Sequence, residues 1–360
     1  MRIRILIIAS MLVTNVMTYA QNSIAESNNT IANNKKLSLT QEWDKTFPKS
    51  SKVEHKKVTF HNRFGITLAA DMYIPKKKSS TKSASGKLLA IAVSGPFGAV
   101  KEQSSGLYAQ ILAECGFLTI AFDPSFTGES SGEPRNVASP DLNTEDFSAA
   151  VDYLATNDLV DANRIGILGI CGWGGLAINA AANDPRIKAT VASTMYNMTR
   201  VNTNGYFDKG TAEQRYQMRI DLNNQRTEDY RNGTYKRTVM NPKPADDAPQ
   251  FMKDYYDYYK TKRGYHERSI NSGQGWNVTS NLGFMNSQIL QYASEIHNAV
   301  LIVHGEKAHS RYMGEDAFKL LKGDNKQLII VPGASHCDLY DKTDIIPFDK
   351  IVQFYKTYLK

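Results

Sequence analysis

The chain is poor in cysteine: only Cys115, Cys171 and Cys337 occur among its 360 residues. Three cysteines are too few for a disulfide scaffold, and no two of them form the Cys-x-x-Cys pair of the common cysteine-based zinc motifs. The chain also lacks a Gly-x-Gly-x-x-Gly run after a strand, a Walker loop and a His/Cys ligand cluster. We therefore expect neither a cofactor nor a metal.

Strong charge of one sign is also missing. The chain has 43 basic and 36 acidic residues, a net charge of +7. Because this excess is modest and carries no stacking-aromatic or zinc-finger pattern, a dedicated nucleic-acid-binding protein is excluded.

Long apolar runs are absent except at the N-terminus. Residues 5–16 are apolar, follow Arg2 and Arg4, and precede Thr18-Tyr19-Ala20. This pattern predicts a signal peptide over residues 1–20, with a membrane anchor as the alternative. The run is shorter than the roughly 20 residues that a spanning helix needs. We therefore expect an exported protein, periplasmic or secreted, without stable membrane insertion.

Apolar strands alternate with helices along most of the chain. Residues 53–60 and 65–74 alternate apolar and polar residues around a turn, which predicts an antiparallel hairpin. Runs that are apolar on both faces predict buried strands at 88–93, 117–122, 164–170, 188–193, 299–303 and 327–331. Helices are predicted at 103–114, 144–155 (capped by Thr144), 174–182, 312–321 and 348–359. This alternation indicates an α/β fold, a mostly parallel sheet with helices on both faces.

One long segment interrupts the alternation. Residues 195–296 are rich in tyrosine, and helices are predicted within them at 214–223 and 248–262. The segment follows a central strand, and ligands bind beyond the carboxyl ends of parallel strands. We expect a helical cap, although a surface insertion without function is the alternative. The predicted organisation is a leader at 21–52, a core at 53–194 and 297–360, and the cap at 195–296.

A glycine-rich turn follows the third parallel strand. The stretch Gly169-Ile170-Cys171-Gly172-Trp173 is followed by two more glycines and a helix. A strand, a sharp turn and a helix with a nucleophile at the apex form a nucleophile elbow. The helix N-terminus would supply a backbone N–H to an oxyanion and lower the thiol pKa. Alternatively, the apex lies at Trp173, which cannot attack a carbonyl, and the protein is a pseudoenzyme.

This motif resembles the α/β-hydrolase family, specifically its branch related to dienelactone hydrolase, whose elbow reads Gly-x-Cys-x-Gly-Gly. The resemblance extends from Val53 to the C-terminus and implies an α/β-hydrolase fold with a cap. It also implies the order nucleophile, acid, histidine. His336, in a glycine-containing loop after the last strand, lies where the family places its base. Glu306 is the carboxylate nearest to the expected acid position, Ala308, with Glu315 and Asp316 as backups on the next helix.

Two backbone N–H groups are the expected oxyanion donors. One belongs to Gly172, and the other to Phe97 in the loop after strand 88–93, since Pro96 has no N–H. By resemblance, Lys101-Glu102-Gln103 in that loop could face the cleft, and otherwise it is a solvated helix start. His309 could line the pocket.

The leading functional hypothesis is a hydrolase of an ester, lactone or thioester. Cys171 would attack, His336 would move the proton, and Glu306 would orient His336, releasing a small-molecule acyl group through an acyl-enzyme. A peptidase or acyl transferase could use the same groups. A catalytically inactive binding protein is the alternative from another class. We also hypothesise that Cys171 and Cys337 approach each other and form a silencing disulfide when oxidised. The oligomeric state is unknown.

Overall fold

The computed structural model describes residues 37–76, 83 and 86–359; the predicted signal peptide lies outside them. Eight strands form one sheet in the order β1-β2-β4-β3-β5-β6-β7-β8, in which β2 runs antiparallel to both of its neighbours, β1 and β4, and all other neighbouring strands are parallel. The strands are β1 (Val53–His61), β2 (Thr67–Pro75), β3 (Leu88–Ser94), β4 (Leu118–Phe122), β5 (Val160–Ile170), β6 (Ile187–Ser193), β7 (Ala299–Gly305) and β8 (Lys326–Val331). The predicted hairpin and the predicted parallel sheet are confirmed.

Ten α-helices are present in the described part of the chain. Those of the alternating pattern are α1 (Ser104–Glu114), α2 (Pro140–Ala155), α3 (Gly172–Asn183), α8 (Arg311–Leu320), α9 (Asp338–Asp341) and α10 (Phe348–Tyr358). Between β6 and β7 lie α4 (Met198–Asn204), α5 (Ala212–Asn232), α6 (Gln250–Lys260) and α7 (Asn281–Met285). None of the helices described is long and apolar enough to cross a membrane.

Alternate residues of the central strands face two separate core layers. Leu88, Ala90 and Ala92 of β3 pack with residues of α2 and α3, whereas Leu89, Ile91 and Val93 pack with residues of α1 and α10. Both faces of the sheet are therefore covered, which explains why β3 is a continuous apolar run rather than an alternating one. The predicted helical layers on both faces are confirmed.

The start of α2 differs from the prediction. The helix begins at Pro140, a residue type favoured in the first helical turn, and not at a Thr144 cap. The Thr144 hydroxyl donates to the Pro140 carbonyl at 2.6 Å, a bond made inside the helix. Thr144 is therefore an interior helix residue.

A buried ionic network surrounds Lys101 in the loop between β3 and α1. Its Nζ lies 2.7 Å from Glu102, 2.8 Å from Asp123 and 2.6 Å from Glu129. The side chains of Lys101, Glu102 and Asp123 are completely buried, and that of Glu129 is 5% exposed. Neither interpretation of residues 101–103 from the sequence is therefore correct: the loop is neither solvated nor open to a cleft.

The same network joins distant segments of the chain. Lys57 of β1 lies 3.2 Å from both Glu102 and Glu129, and Lys45 lies 2.7 Å from Asp71 of β2. Arg268, from the segment between β6 and β7, lies 3.0 Å from Glu102. One group of paired charges thus joins four segments of the chain: the leader, the hairpin, the loop after β3 and the insertion.

Replacing Lys101 by methionine is expected to destabilise the protein by about 3–5 kcal/mol at neutral pH, because buried carboxylates would lose their cation. Denaturant unfolding at several pH values measures this. Paired cations hold the pKa of Glu129 at about 2 instead of its usual 4.5. The ionised Glu129 carboxylate therefore adds stability above pH 4.5, and this stability disappears as the pH falls towards 2. The difference in free energy of unfolding between the wild-type protein and Lys101→Met should shrink as the pH falls from 4.5 towards 2.

The matched control is Lys52→Met, which breaks an exposed ion pair with Glu114 and should cost less than about 1 kcal/mol. Equal costs for the two variants would contradict the structural role of Lys101.

Candidate active site

Cys171 occupies the apex of the turn between β5 and α3. Its backbone has φ 58° and ψ −127°, a conformation that costs a non-glycine residue energy. The turn is held from both sides: Cys171 N donates to the Ser193 carbonyl at 2.9 Å, and Tyr196 N donates to the Cys171 carbonyl at 2.9 Å. The strain thus places a thiol at the carboxyl edge of the sheet.

Close packing explains the small residues around the apex. A Cβ on Gly169 would lie 2.0 Å from the Trp173 carbonyl oxygen, a separation that no side chain tolerates. Trp173 itself is 1% exposed and packs edge-on against Phe122 and Phe147 in the core. The alternative with Trp173 at the apex is therefore wrong, since its ring belongs to the core.

The surroundings of the Cys171 sulfur are polar but uncharged. Burial raises the pKa of the thiol, whereas hydrogen bonds from the Tyr340 hydroxyl and from the N–H groups of Gly172 and Phe97 act in the opposite direction. The structure thus brings both expected oxyanion donors to the proposed nucleophile. The N–H of Gly172 at the start of α3 lowers the thiol pKa as expected, but the net shift is upward because desolvation of the thiolate outweighs the hydrogen-bond donors.

The insertion fixes the position of the second donor. Asn271 donates from Nδ2 to the Phe97 carbonyl at 2.7 Å, and the Ser269 hydroxyl donates to the Gly98 carbonyl at 2.9 Å. The Phe97 ring stacks on Trp276 at 4.5 Å. Residues between β6 and β7 therefore hold the loop that presents the Phe97 N–H.

His336 lies in the loop after β8 and is 1% exposed. Its Nε2 is 3.0 Å from the Tyr340 hydroxyl, which in turn contacts Cys171. Its Nδ1 lies 2.8 Å from Thr194 Oγ1 and 2.7 Å from Ser310 Oγ. Burial, followed by neighbouring His309 and His304, lowers the pKa of His336 well below its usual value, so the ring is neutral at rest.

The structure does not bring Glu306 to His336. The Glu306 carboxylate is exposed and accepts from Gly333 N at 2.7 Å, while its own N–H donates to Val331 across the end of β8. The backups are occupied elsewhere: Glu315 pairs with Arg311, and Asp316 with Arg200 and Lys319. Among the described residues, His336 has two hydroxyl partners where a carboxylate was expected.

Sequence reasoning missed Thr194, Ser310 and Tyr340. Tyr340 follows His336 by one helical turn, a spacing that could have indicated it. Ser310 stands two residues after Ala308, where a short polar side chain gives a weak signal. Thr194 has φ 44°, rare for a β-branched residue, and nothing in the sequence indicates this conformation.

A cavity of about 590 Å³ opens above Cys171. Most of its lining comes from residues between β6 and β7, and it includes no Asp, Glu, Lys, Arg or His among the residues described. The aromatic lining residues are Phe97, Tyr196, Tyr206, Phe251, Tyr255, Tyr259, Trp276, Phe284 and Tyr340. His309 stands behind this wall, stacked on Phe251 at 4.2 Å and hydrogen-bonded to the Tyr196 hydroxyl.

All three cysteines are free thiols, and Cys171 and Cys337 are both buried. A disulfide between them is not formed in the structure, and the oxidative silencing proposed from the sequence stays a prediction.

The strand order, the strained cysteine turn after β5 and the histidine after the last strand define the α/β-hydrolase fold. Within this class, the chain belongs to the X-Pro dipeptidyl-peptidase family S15, whose model matches residues 65–338. The predicted α/β-hydrolase fold is confirmed.

Several proteins are similar to this chain over different lengths. Uncharacterized protein PA2218 of Pseudomonas aeruginosa is 56% identical over 334 residues, 92% of this chain and 88% of that one. Its crystal structure has a TM-score of 0.87, 57% identity, and coverage of 90% of this chain and all of that one. YcjY of Escherichia coli is 36% identical over 79% of this chain and 92% of its own. Thiohydrolase aneE of Aspergillus aculeatus is 33% identical over 103 residues, 29% of this chain and 32% of that one.

Alkylation of Cys171 by iodoacetamide should accelerate about tenfold for each pH unit across the neutral range, because the thiolate reacts and its raised pKa keeps it scarce. The rate is measured by mass spectrometry in a Cys115→Ala background, since Cys115 is the partly exposed thiol. The labelled position is checked by peptide mapping. A rate that is flat between about pH 5 and 8 would show a resting thiolate–imidazolium pair instead.

Proposed function

We propose that the protein hydrolyses neutral carboxylic esters, lactones or thioesters through a covalent acyl-enzyme on Cys171. The observation that carries the proposal is the position of Cys171. Its sulfur lies at the strained apex, near two backbone N–H groups, on the wall of an apolar cavity. The ester and lactone substrates follow the dienelactone-hydrolase resemblance. The thioester substrate is in line with the name of the relative aneE, a thiohydrolase.

The first chemical step forms the bond between Cys171 Sγ and the acyl carbon. The carbonyl oxygen, as it gains charge, is held by the N–H groups of Gly172 and Phe97. The thiol proton passes to Nε2 of His336, directly or across the Tyr340 hydroxyl between them. The bond to the leaving group then breaks, and the leaving oxygen or sulfur receives that proton from His336.

The second step returns the enzyme to its starting state. Water, deprotonated by neutral His336, attacks the acyl carbon of the thioester, and the carbon–sulfur bond breaks. The Cys171 thiolate takes the proton back, and the carboxylic acid leaves. Neutral His336 can accept a proton in both steps, and its lowered pKa keeps it in that form.

Hydroxyl groups replace the usual carboxylate behind the base. Thr194 and Ser310 both stand at hydrogen-bond distance from Nδ1, so they can fix the tautomer that leaves Nε2 free to accept a proton. They add no negative charge to stabilise an imidazolium. A thiol tolerates this loss better than a serine hydroxyl, because a thiol loses its proton far more readily.

Peptidase activity on a free amino terminus is less well supported. A dipeptidyl-peptidase must bind a protonated amine, which calls for a carboxylate, and the described lining of the cavity has none. The second candidate function is therefore ligand binding without catalysis. It is favoured by the raised pKa of Cys171 and by the two hydroxyls behind His336.

Cys171→Ala is expected to abolish hydrolysis of p-nitrophenyl esters and aryl thioesters. Wild-type protein, quenched in acid during turnover, should carry the acyl mass on Cys171. The matched control, Cys115→Ala, changes a thiol at the end of α1 and should keep full activity. Activity retained in Cys171→Ala would refute this nucleophile. Absence of both turnover and adduct across ester and thioester substrates would instead favour the binding protein.

Ser310→Ala should lower kcat several-fold with little change in KM, because one of the two groups that orient His336 is lost. Glu306→Gln should leave kcat within about twofold, since this carboxylate contacts Gly333 and not the base. Steady-state kinetics on one ester compares them. A larger loss in Glu306→Gln than in Ser310→Ala would restore Glu306 as the orienting acid.

A further inference from the structure

A run of basic residues spans the end of the long helix α5 and the chain that follows it. Residues 230–243, here called the basic segment, contain Arg231, Lys236, Arg237 and Lys243 but no aspartate or glutamate. All four basic residues are exposed. In the described part of the chain none of them forms an ion pair, and Arg237 donates a hydrogen bond to the Gly275 carbonyl at 3.4 Å. The basic segment therefore presents positive charge that the protein itself does not neutralise.

The middle of the basic segment has one face towards the cavity and one away from it. Arg237 forms an antiparallel bridge with Asn277, with backbone hydrogen bonds on both sides of it. Side chains of such extended backbone alternate between two faces. Thr238 and Met240 line the cavity. The alternate residues therefore lie on the outer face: Tyr235, Arg237 and Val239.

Apolar side chains are exposed beside these charges. Tyr230 is 92% exposed, Val239 85% and Tyr235 53%. Exposed apolar side chains next to unpaired cations indicate a partner that is both apolar and anionic. The headgroup region of an anionic phospholipid bilayer has this character, because tyrosine rings lie at the level of the headgroups and basic side chains bind the phosphates.

Protein partners match the basic segment less well. In a two-fold dimer the same surface of both copies meets, so the cations of one copy would face those of the other and repel them. An acidic protein would have to place carboxylates at fixed positions, whereas these basic side chains are exposed and have no ion-pair partner that fixes them. A fluid lipid surface supplies phosphates wherever the side chains reach.

We propose that the basic segment binds the surface of an anionic phospholipid membrane. Arg231, Lys236 and Lys243 contact the phosphates, while Tyr230 and Val239 enter the headgroup region. Binding of this kind is peripheral and needs no inserted helix. Because the inner face of the same segment lines the cavity, the bound protein holds one wall of the cavity next to the lipid. The interaction does not depend on the proposed acyl-enzyme.

Vesicle sedimentation tests the proposal on the whole protein. The vesicles consist of phosphatidylcholine alone or of an equal mixture of phosphatidylcholine and phosphatidylglycerol. We expect at least about tenfold tighter binding to the mixed vesicles, and this preference should fall as salt is added. Cys171→Ala should bind like the wild-type protein, so membrane binding and catalysis can fail separately. Equal binding to both kinds of vesicle, or no binding to the mixed ones, would overturn the proposal.

Charge-reversed variants locate the membrane-binding surface. Lys236→Glu/Lys243→Glu should weaken binding to the mixed vesicles at least about tenfold. The matched control, Lys322→Glu/Lys350→Glu, reverses two exposed lysines outside the basic segment and should stay within about twofold of wild type. Circular dichroism checks that both variants fold. Equal weakening of the two variants would indicate general attraction by net charge and would contradict the proposed site.

Two further measurements separate lipid from protein as the partner. Tyr230→Ser/Val239→Ser keeps every charge and should weaken vesicle binding several-fold, because apolar area no longer enters the headgroup region. Unchanged binding of this variant would refute the apolar part of the contact. Binding of the wild-type protein to polyglutamate but not to the mixed vesicles would indicate an acidic protein partner and overturn the lipid assignment.

Discussion

The reversal of the chain at Cys171 is the constraint on which the site depends. β5 ends and α3 begins within one residue, and that residue adopts a strained backbone conformation. The strain is maintained because neighbours on both sides hold the turn. The Ser193 carbonyl accepts from Cys171 N, and Tyr196 N donates to the Cys171 carbonyl. The ring of Trp173 anchors the next residues in the core. The thiol is consequently presented by rigid elements.

The loop with the second oxyanion donor is held from two directions by different chemistry. On one side, the buried cation of Lys101 fastens it to Asp123 and Glu129 beyond β4. On the other side, Asn271 bonds to the Phe97 carbonyl. Because buried ion pairs of this kind are costly to break, the loop is fixed to the core. The hydrogen bond from Asn271 keeps the same loop in contact with the residues that line the cavity.

The sequence carries clear signals only for residues whose role depends on their own segment. Cys171 and His336 each follow an apolar strand in a glycine-containing turn, so their place at the sheet edge could be predicted. The strand before His336, β8, is only half-buried in the structure and not buried as predicted. Thr194 lies 142 residues from His336, and its part in the site depends on how β6 and β7 pair. Glu306 does not contact His336 for the same reason. Its backbone N–H is still paired with β8, so its carboxylate lies at Gly333. Lys101 could be taken for a solvated lysine in the sequence, because its carboxylate partners, Asp123 and Glu129, lie in a different turn of the chain.

The distribution of charge also bears on the chemistry. One group of buried, paired charges surrounds Lys101, whereas the described lining of the cavity carries no ionised side chain. In such low-polarity surroundings, two fixed N–H groups interact with a developing oxyanion more strongly than they would in water. The same surroundings penalise a resting thiolate, which is why burial raises the pKa of Cys171. The site is thus arranged to favour negative charge on a bound carbonyl oxygen during reaction and to disfavour it on the free sulfur beforehand.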